Sequence, residues 1–188
     1  EHYRLQAVGL INGGADLLLL ETTQDSLNVK AALEGIDRAR AETRFDIPVA
    51  IQATIETMGT TLGGQDIEAF YDSVAHRDLL WMGMNCATGP EFMRDHIRSL
   101  AGIARFPVAA IPNAGLPDEN GHYHETPEMI SRTLISFIDE GWVNVIGGCC
   151  GTTGEHVRHI VAAAQGKRPH DSTPRDETAV SGLESLVI

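Results

Sequence analysis

The chain has 188 residues, 43% of them hydrophobic and 21% charged, with a formal net charge of −12 and a pI near 5.0. That length suits one domain with a sizeable core, and the composition is that of an ordinary globular protein. The acidic balance and the absence of a dense Lys/Arg cluster argue against nucleic acid or an anionic membrane as the main partner, and no apolar run is long enough to span a bilayer.

A helix is expected over residues 1–12, with Tyr3, Val8 and Ile11 apolar and Gly13-Gly14 as its stop. ADLLLLET (15–22) is a continuous apolar run closed by a carboxylate, the pattern of a buried parallel strand. Ser26 is placed as the cap of a helix to about Ala41, with Val29, Leu33 and Ile36 on one face. PVAIQATI (48–55) is the second strand. The Gly/Thr-rich loop ETMGTTLGG (56–64) leads into a helix that shares Ile67, Phe70, Tyr71 and Val74 on a face. DLLWMGMNC (78–86) is the third strand, followed by a helix from Pro90 with Met93, Ile97 and Leu100 as its inner stripe. PVAAIPNAG (107–115) is the fourth. After the polar loop LPDENGHYHE (116–125), Thr126 caps a helix with Ile130, Leu134, Phe137 and Ile138 inside. VNVIGG (143–148) is the fifth strand, and a last helix runs to about Ala164.

Five alternations of apolar strand and helix predict an α/β fold with a parallel sheet and helices outside. A polar or reactive residue stands at the C-terminal end of nearly every strand: Glu21, Glu56, Cys86, Asn113, Cys149 and Cys150. Chemistry sits at that end both in β/α barrels and in open α/β sheets. From Gly166 the sequence turns polar, proline-bearing and aperiodic, which reads as a linker, with SGLESLVI (181–188) a candidate edge of a following module.

The densest chemistry lies in VNVIGGCCGTTGE (143–155): an apolar strand, two glycines, two adjacent cysteines, then Thr152-x-x-Glu155 as a capping box. Cys86 is set in the same way, between an apolar run and a Gly-Pro helix start. Adjacent cysteines bridge each other only with strain, so a three-sulfur zinc site is the better reading, and the helix starts should favour thiolate over thiol. The plainer reading of Cys86 is a buried small apolar residue. For Asn85 and Asn113 it is a turn role, and for Glu21 a cap or ion-pair partner. His122, His124, His156 and His159 have spacings that suit a metal, but no carboxylate motif accompanies them, and solvated surface is the expectation for each. Three cysteines with two adjacent make no secreted disulfide framework, which points to a reducing cytoplasm. No signal-peptide pattern opens the chain, and a first residue other than Met suggests a piece of a longer protein.

On GADLLLLET, GMNCATGP, IPNAGLP and GGCCGTT, in that order, the sequence resembles the homocysteine-binding, zinc-dependent S-methyltransferase domain family of cobalamin-dependent methionine synthases. The resemblance implies a (β/α)8 TIM barrel, of which residues 1–165 are the C-terminal five βα units, with 166–188 a polar linker toward a folate-binding domain. It implies transfer of a methyl group to the thiol of homocysteine, giving methionine, at Zn2+ held by Cys86, Cys149 and Cys150. Glu21 would bind the homocysteine ammonium, with Asn85 and Asn113 as further substrate contacts. Methylcobalamin would be carried by another module, so the implied partners are homocysteine and the folate- and cobalamin-binding modules of the same polypeptide. Betaine- and S-methylmethionine-dependent enzymes share the Cys…Cys-Cys arrangement and are the alternative, with a non-catalytic zinc-binding barrel fragment as a second. Five strands leave an open sheet edge, so the expectation is a fragment of a longer protein or an unusual self-association.

Overall fold

The computed structural model describes residues 1–172 and 175–188; Thr173 and Pro174, inside the stretch read as linker, lie outside the described residues. Its elements are α1 (His2–Asn12), β1 (Leu18–Thr23), α2 (Ser26–Thr43), β2 (Val49–Ala53), α3 (Ile67–Val74), β3 (Met82–Asn85), α4 (Pro90–Ile103), β4 (Val108–Ile111), α5 (Pro127–Asp139), β5 (Val145–Ile146), α6 (Gly154–Ala164), β6 (Ala179–Ser181) and β7 (Ser185–Val187). The first five strands form one parallel sheet in the order β1-β2-β3-β4-β5, with registers that run through Leu20–Ile51–Met82–Val108 and on through Ala110–Ile146. This is the expected alternation. Among the described residues β1 and β5 each keep one free edge, so the five strands do not close into a barrel.

The core follows the helical periodicity of the sequence. Val29, Leu33 and Ile36 of α2 are buried, as are Ile67, Phe70 and Val74 of α3, Met93, Ile97 and Leu100 of α4, and Ile130, Leu134 and Phe137 of α5. The sheet adds Ile51, Met82, Met84 and Val108 to the same core, each at most 1% exposed. α1 lies across α2 at close range: a Cβ on Gly35 would come within 2.8 Å of Tyr3 Cβ, so a glycine is required at the crossing. Among the described residues no helix is long and apolar enough to cross a membrane.

Four expectations change. Within the apolar run of 15–22 only Leu18 is buried; Leu19 and Glu21 are exposed, β1 being an edge strand with no neighbour on one side among the described residues. The α2 cap is Asp25, not Ser26: its carboxylate accepts from the N–H groups of Leu27 (2.6 Å) and Asn28 (3.2 Å). The strands are shorter than the apolar runs, β5 being two residues long, because the chain leaves the ladder to build loops at the strand ends. The tail read as linker carries the antiparallel β6-β7 hairpin, docked on α3. Asp66 N–H donates to Leu183 O (3.0 Å), Ser181 Oγ donates to Ala69 O (2.7 Å), and the Arg175 guanidinium reaches Glu68 (3.2 Å) and Asp72 (3.5 Å). Strands of three residues that attach through polar groups leave no hydrophobic period in the sequence.

Candidate metal centre

β3 ends by bonding Cys86 N–H to Ile111 O (3.2 Å), and the backbone then turns through two left-handed residues, Cys86 (φ 63°) and Ala87 (φ 57°). Neither is glycine, and such conformations cost about 1–3 kcal/mol each. Thr22, at the end of β1, is left-handed as well (φ 55°). Thr88 N–H donates back to Cys86 O (2.7 Å), and α4 starts at Pro90. This turn projects the Cys86 sulfur over the C-terminal end of the sheet, toward the loop that follows β5.

That loop is sewn to the end of β4. Cys149 N–H donates to Pro112 O (2.8 Å), Cys150 N–H to Asn113 Oδ1 (3.0 Å), and Ala114 N–H to Cys150 O (2.8 Å). Thr152 Oγ donates to Cys149 O (2.7 Å), so Thr152 is spent on the cysteine turn. The helix cap falls one residue later than the sequence suggested: Thr153 caps α6, and His156 Nδ1 accepts from Thr153 N–H (3.1 Å). The other ring nitrogen, Nε2, then carries the proton and donates to Glu125 O (3.0 Å). His156 is therefore a buried, neutral tie between α6 and the β4–α5 loop, which corrects its assignment to the surface. The other three histidines stay outside: His122 and His124 are exposed, and His159 is half-exposed beside Glu155 (3.3 Å) and Glu128 (3.7 Å).

The three sulfurs meet. Cys86 Sγ lies 3.7 Å from Cys150 Sγ, Cys149 Sγ lies 3.9 Å from Cys150 Sγ, and all three are within 4.8 Å of one another. A disulfide needs about 2.05 Å, so these are free thiols. A tetrahedral zinc with sulfurs at about 2.3 Å sets its ligands about 3.8 Å apart; the donor type and the two shorter spacings fit such an ion. Among the described residues this is the one group of His, Cys, Asp and Glu close enough to hold a metal. The expected lowering of the thiol pKa does not appear at Cys150, which is pushed up to about 11, first by burial, then by its hydrogen bond with Cys86 and the charge of Cys149. Burial first, and then the two neighbouring thiols, outweigh the helix end. Protons must therefore leave as a cation enters.

Asn85 is 1% exposed: its Oδ1 accepts from Thr22 N–H (2.8 Å), and its Nδ2 donates to Thr22 Oγ (2.9 Å) and points at Cys149 Sγ (3.8 Å). Asn113, 4% exposed, supports Cys150 through the backbone bond given above. Glu21 lies at the rim, exposed, in a cavity of about 450 Å³ that it lines with Tyr3, Thr22, Gln24 and Asn28. Glu56 is engaged by Gln24 Nε2 (2.9 Å) in the loop over the sheet end. Sequence reasoning missed Thr22, whose only sign was its place after Glu21, and Tyr123. The Tyr123 ring is half-buried against the cysteine loop, and its phenol pKa is raised, first by burial and then by Cys150.

A family model described as homocysteine S-methyltransferase matches residues 1–164. The methionine synthase of Mycobacterium leprae (strain TN) is 42% identical over 183 residues, which cover 95% of this chain; the chain spans 15% of that protein's length. Crystal structures of the homocysteine methyltransferase MmuM from Escherichia coli, in apo and metallated forms, superpose with TM-scores of 0.62 and 0.61 at 18% identity. Each covers 86% of this chain, which spans 54% and 51% of theirs and shares their fold.

Proposed function

Because this chain belongs to the homocysteine S-methyltransferase family, we propose that it provides the sulfur-activating site for methyl transfer to homocysteine, with Cys86, Cys149 and Cys150 holding zinc. The observation that carries this reading is the convergence of three unpaired thiols, two of the spacings being 3.7 and 3.9 Å, at the C-terminal end of the sheet. Held by these three cysteines, zinc would supply the positive charge that favours a substrate thiol as the thiolate a methyl acceptor must be.

The chain's own residues do the rest. Asn85, clamped by Thr22 and by Thr54 Oγ on its carbonyl (3.0 Å), holds its amide against Cys149 and fixes that ligand's direction. Asn113 fixes the backbone of Cys150. Glu21 offers a carboxylate to the substrate ammonium beside Thr22, in the cavity both line. The substrate thiol would lose its proton to solvent on binding, so no protein base is required in the transfer itself: its sulfur lone pair forms the S–C bond as the bond from the methyl group to its donor breaks, the electron pair of that bond staying on the donor. We assign residues 1–165 to the barrel and 166–188 to the connection with a folate-binding module. Methylcobalamin on a further module would be the donor, in keeping with a relative nearly seven times as long. A reducing cytoplasm suits three free thiols.

Cobalt(II) in place of zinc makes the site visible. Homocysteine added to the cobalt-loaded chain should change the thiolate-to-cobalt absorption, because a fourth sulfur joins three, while methionine at the same concentration should not. A spectrum indifferent to homocysteine would overturn the substrate assignment.

A further inference from the structure

We propose that Glu125 is a positioning residue of the sulfur cluster: its side chain is a wedge between the β3–α4 turn that carries Cys86 and the β4–α5 loop to which Cys150 is tied, and it sets the gap between those two ligands. This rests on the metal reading above and goes beyond it by assigning the spacing of two sulfurs to a residue outside the cysteine motifs.

The backbone of Glu125 is fastened on both sides. Its N–H donates to Ala114 O (3.2 Å), and Ala114 N–H donates to Cys150 O (2.8 Å). Its carbonyl accepts from His156 Nε2 (3.0 Å), and the same ring accepts on Nδ1 from Thr153 N–H (3.1 Å), at the start of the helix that follows the cysteine pair. The next residue, Thr126, caps α5 by accepting from Met129 N–H (3.4 Å). Glu125 is therefore held to the ends of two loops and to the start of α6, and cannot slide.

Its side chain reaches the remaining loop. A Cβ on Gly89 would lie 2.4 Å from Glu125 Oε1 and 3.0 Å from Gly115 Cα, and a Cβ on Gly115 would lie 3.0 Å from Glu125 Cγ and 3.2 Å from Oε1. The carboxyl is pressed against two bare backbones that leave no room for a methyl group. Gly89 is the N-cap of α4, three residues past Cys86. Gly115 is left-handed (φ +85°) and follows Asn113, whose Oδ1 holds Cys150 N–H (3.0 Å). The thickness of one carboxyl thus fixes how far the Cys86 turn stands from the loop that anchors Cys150. The Cys86 turn needs such a stop, since its two left-handed residues, Cys86 and Ala87, persist only where the surroundings hold them. Shape, not charge, does this: burial, and then the charge of Glu91, push the Glu125 carboxyl above its ordinary pKa. A site of this kind tolerates displacements of only about 0.5 Å, less than the width of the wedge.

Glu125→Ala removes the wedge. In the full chain, competition against a chromophoric chelator should show zinc held about tenfold more weakly, in line with losses at outer ligand partners, and the cobalt(II) spectrum should change. Glu125→Gln keeps the shape without the charge and should restore both. Gly89→Ala drives a methyl group into the carboxyl and should weaken zinc as well; adding Glu125→Ala removes the atoms that the methyl strikes, so the double variant should bind zinc more tightly than Gly89→Ala alone. A contact that only stabilised the fold would lower the urea midpoint of the metal-free chain and leave the cobalt spectrum of the folded protein unchanged. Wild-type affinity and spectrum in Glu125→Ala, losses in Glu125→Gln equal to those in Glu125→Ala, or additive losses in the double variant would each overturn the inference alone. No cobalt uptake by wild type would overturn the metal reading and this inference with it.

Discussion

Replacing Cys86 by serine should weaken zinc binding by about 100-fold or more, roughly 2.8 kcal/mol, while leaving the stability of the metal-free fold within about 0.5 kcal/mol of wild type. The two halves of this expectation separate a ligand from a packing residue. Zinc prefers soft thiolate donors, and serine offers a hydroxyl that stays protonated at neutral pH. A cysteine that merely filled the core would give the opposite result, no change in metal and a clear loss of stability. The structure favours the first. Cys86 is only half-buried, its sulfur faces Cys150 at 3.7 Å, and the left-handed turn that holds it involves backbone alone, which serine can keep. Chelator competition gives the affinity and urea denaturation without metal gives the stability. Wild-type affinity in Cys86→Ser would remove this residue from the site.

The second large effect falls on the sheet that carries the site. Gly83 is the middle of β3, paired with Gln52 on one side and Ala109 on the other. A Cβ there would lie 2.5 Å from Ala109 Cβ and closer still to the Ala109 carbonyl oxygen. By strand propensity alone, alanine should be about 0.5–1 kcal/mol better than glycine. The collision reverses the sign, because the clashing atoms are backbone and cannot rotate away. Gly83→Ala should cost about 3 kcal/mol, the upper end of overpacking in a close-packed interior. The urea midpoint should fall at unchanged slope. It should also weaken metal binding, since Gly83 lies two residues from Asn85 and three from Cys86. A midpoint equal to wild type would mean that β3 and β4 can separate at little cost.

What the sequence reveals and what it hides divide along physical lines. Repeated signals survive translation into structure: the 3.6-residue stripes of α2 to α5 are the buried faces, and each apolar run is a strand. The cysteine blocks were legible because each follows a strand and precedes a helix, which places their sulfurs at one end of a parallel sheet whatever its curvature. Choices between neighbours were not. Thr152 and Thr153 both satisfy a capping pattern, and the decision rests on Thr152 Oγ bonding back to Cys149 O, a fact of the folded turn. Asp25 outcompetes Ser26 for the same kind of reason. Position in the sheet is hidden too: LLLLE reads as buried, yet β1 is an edge and Glu21 is open to solvent. Contacts between distant loops leave the least trace. His-Tyr-His suggested metal spacing, and its meaning in the fold is that one residue of the three turns inward to meet Gly151.

Zinc-edge X-ray absorption of the zinc-loaded chain, before and after homocysteine, tests the central claim most directly, because it counts sulfurs. Three sulfurs at about 2.3 Å with one lighter neighbour, becoming four sulfurs when homocysteine is added, is the predicted result. Fewer than three sulfurs, or a first shell that homocysteine leaves unchanged, would contradict the account.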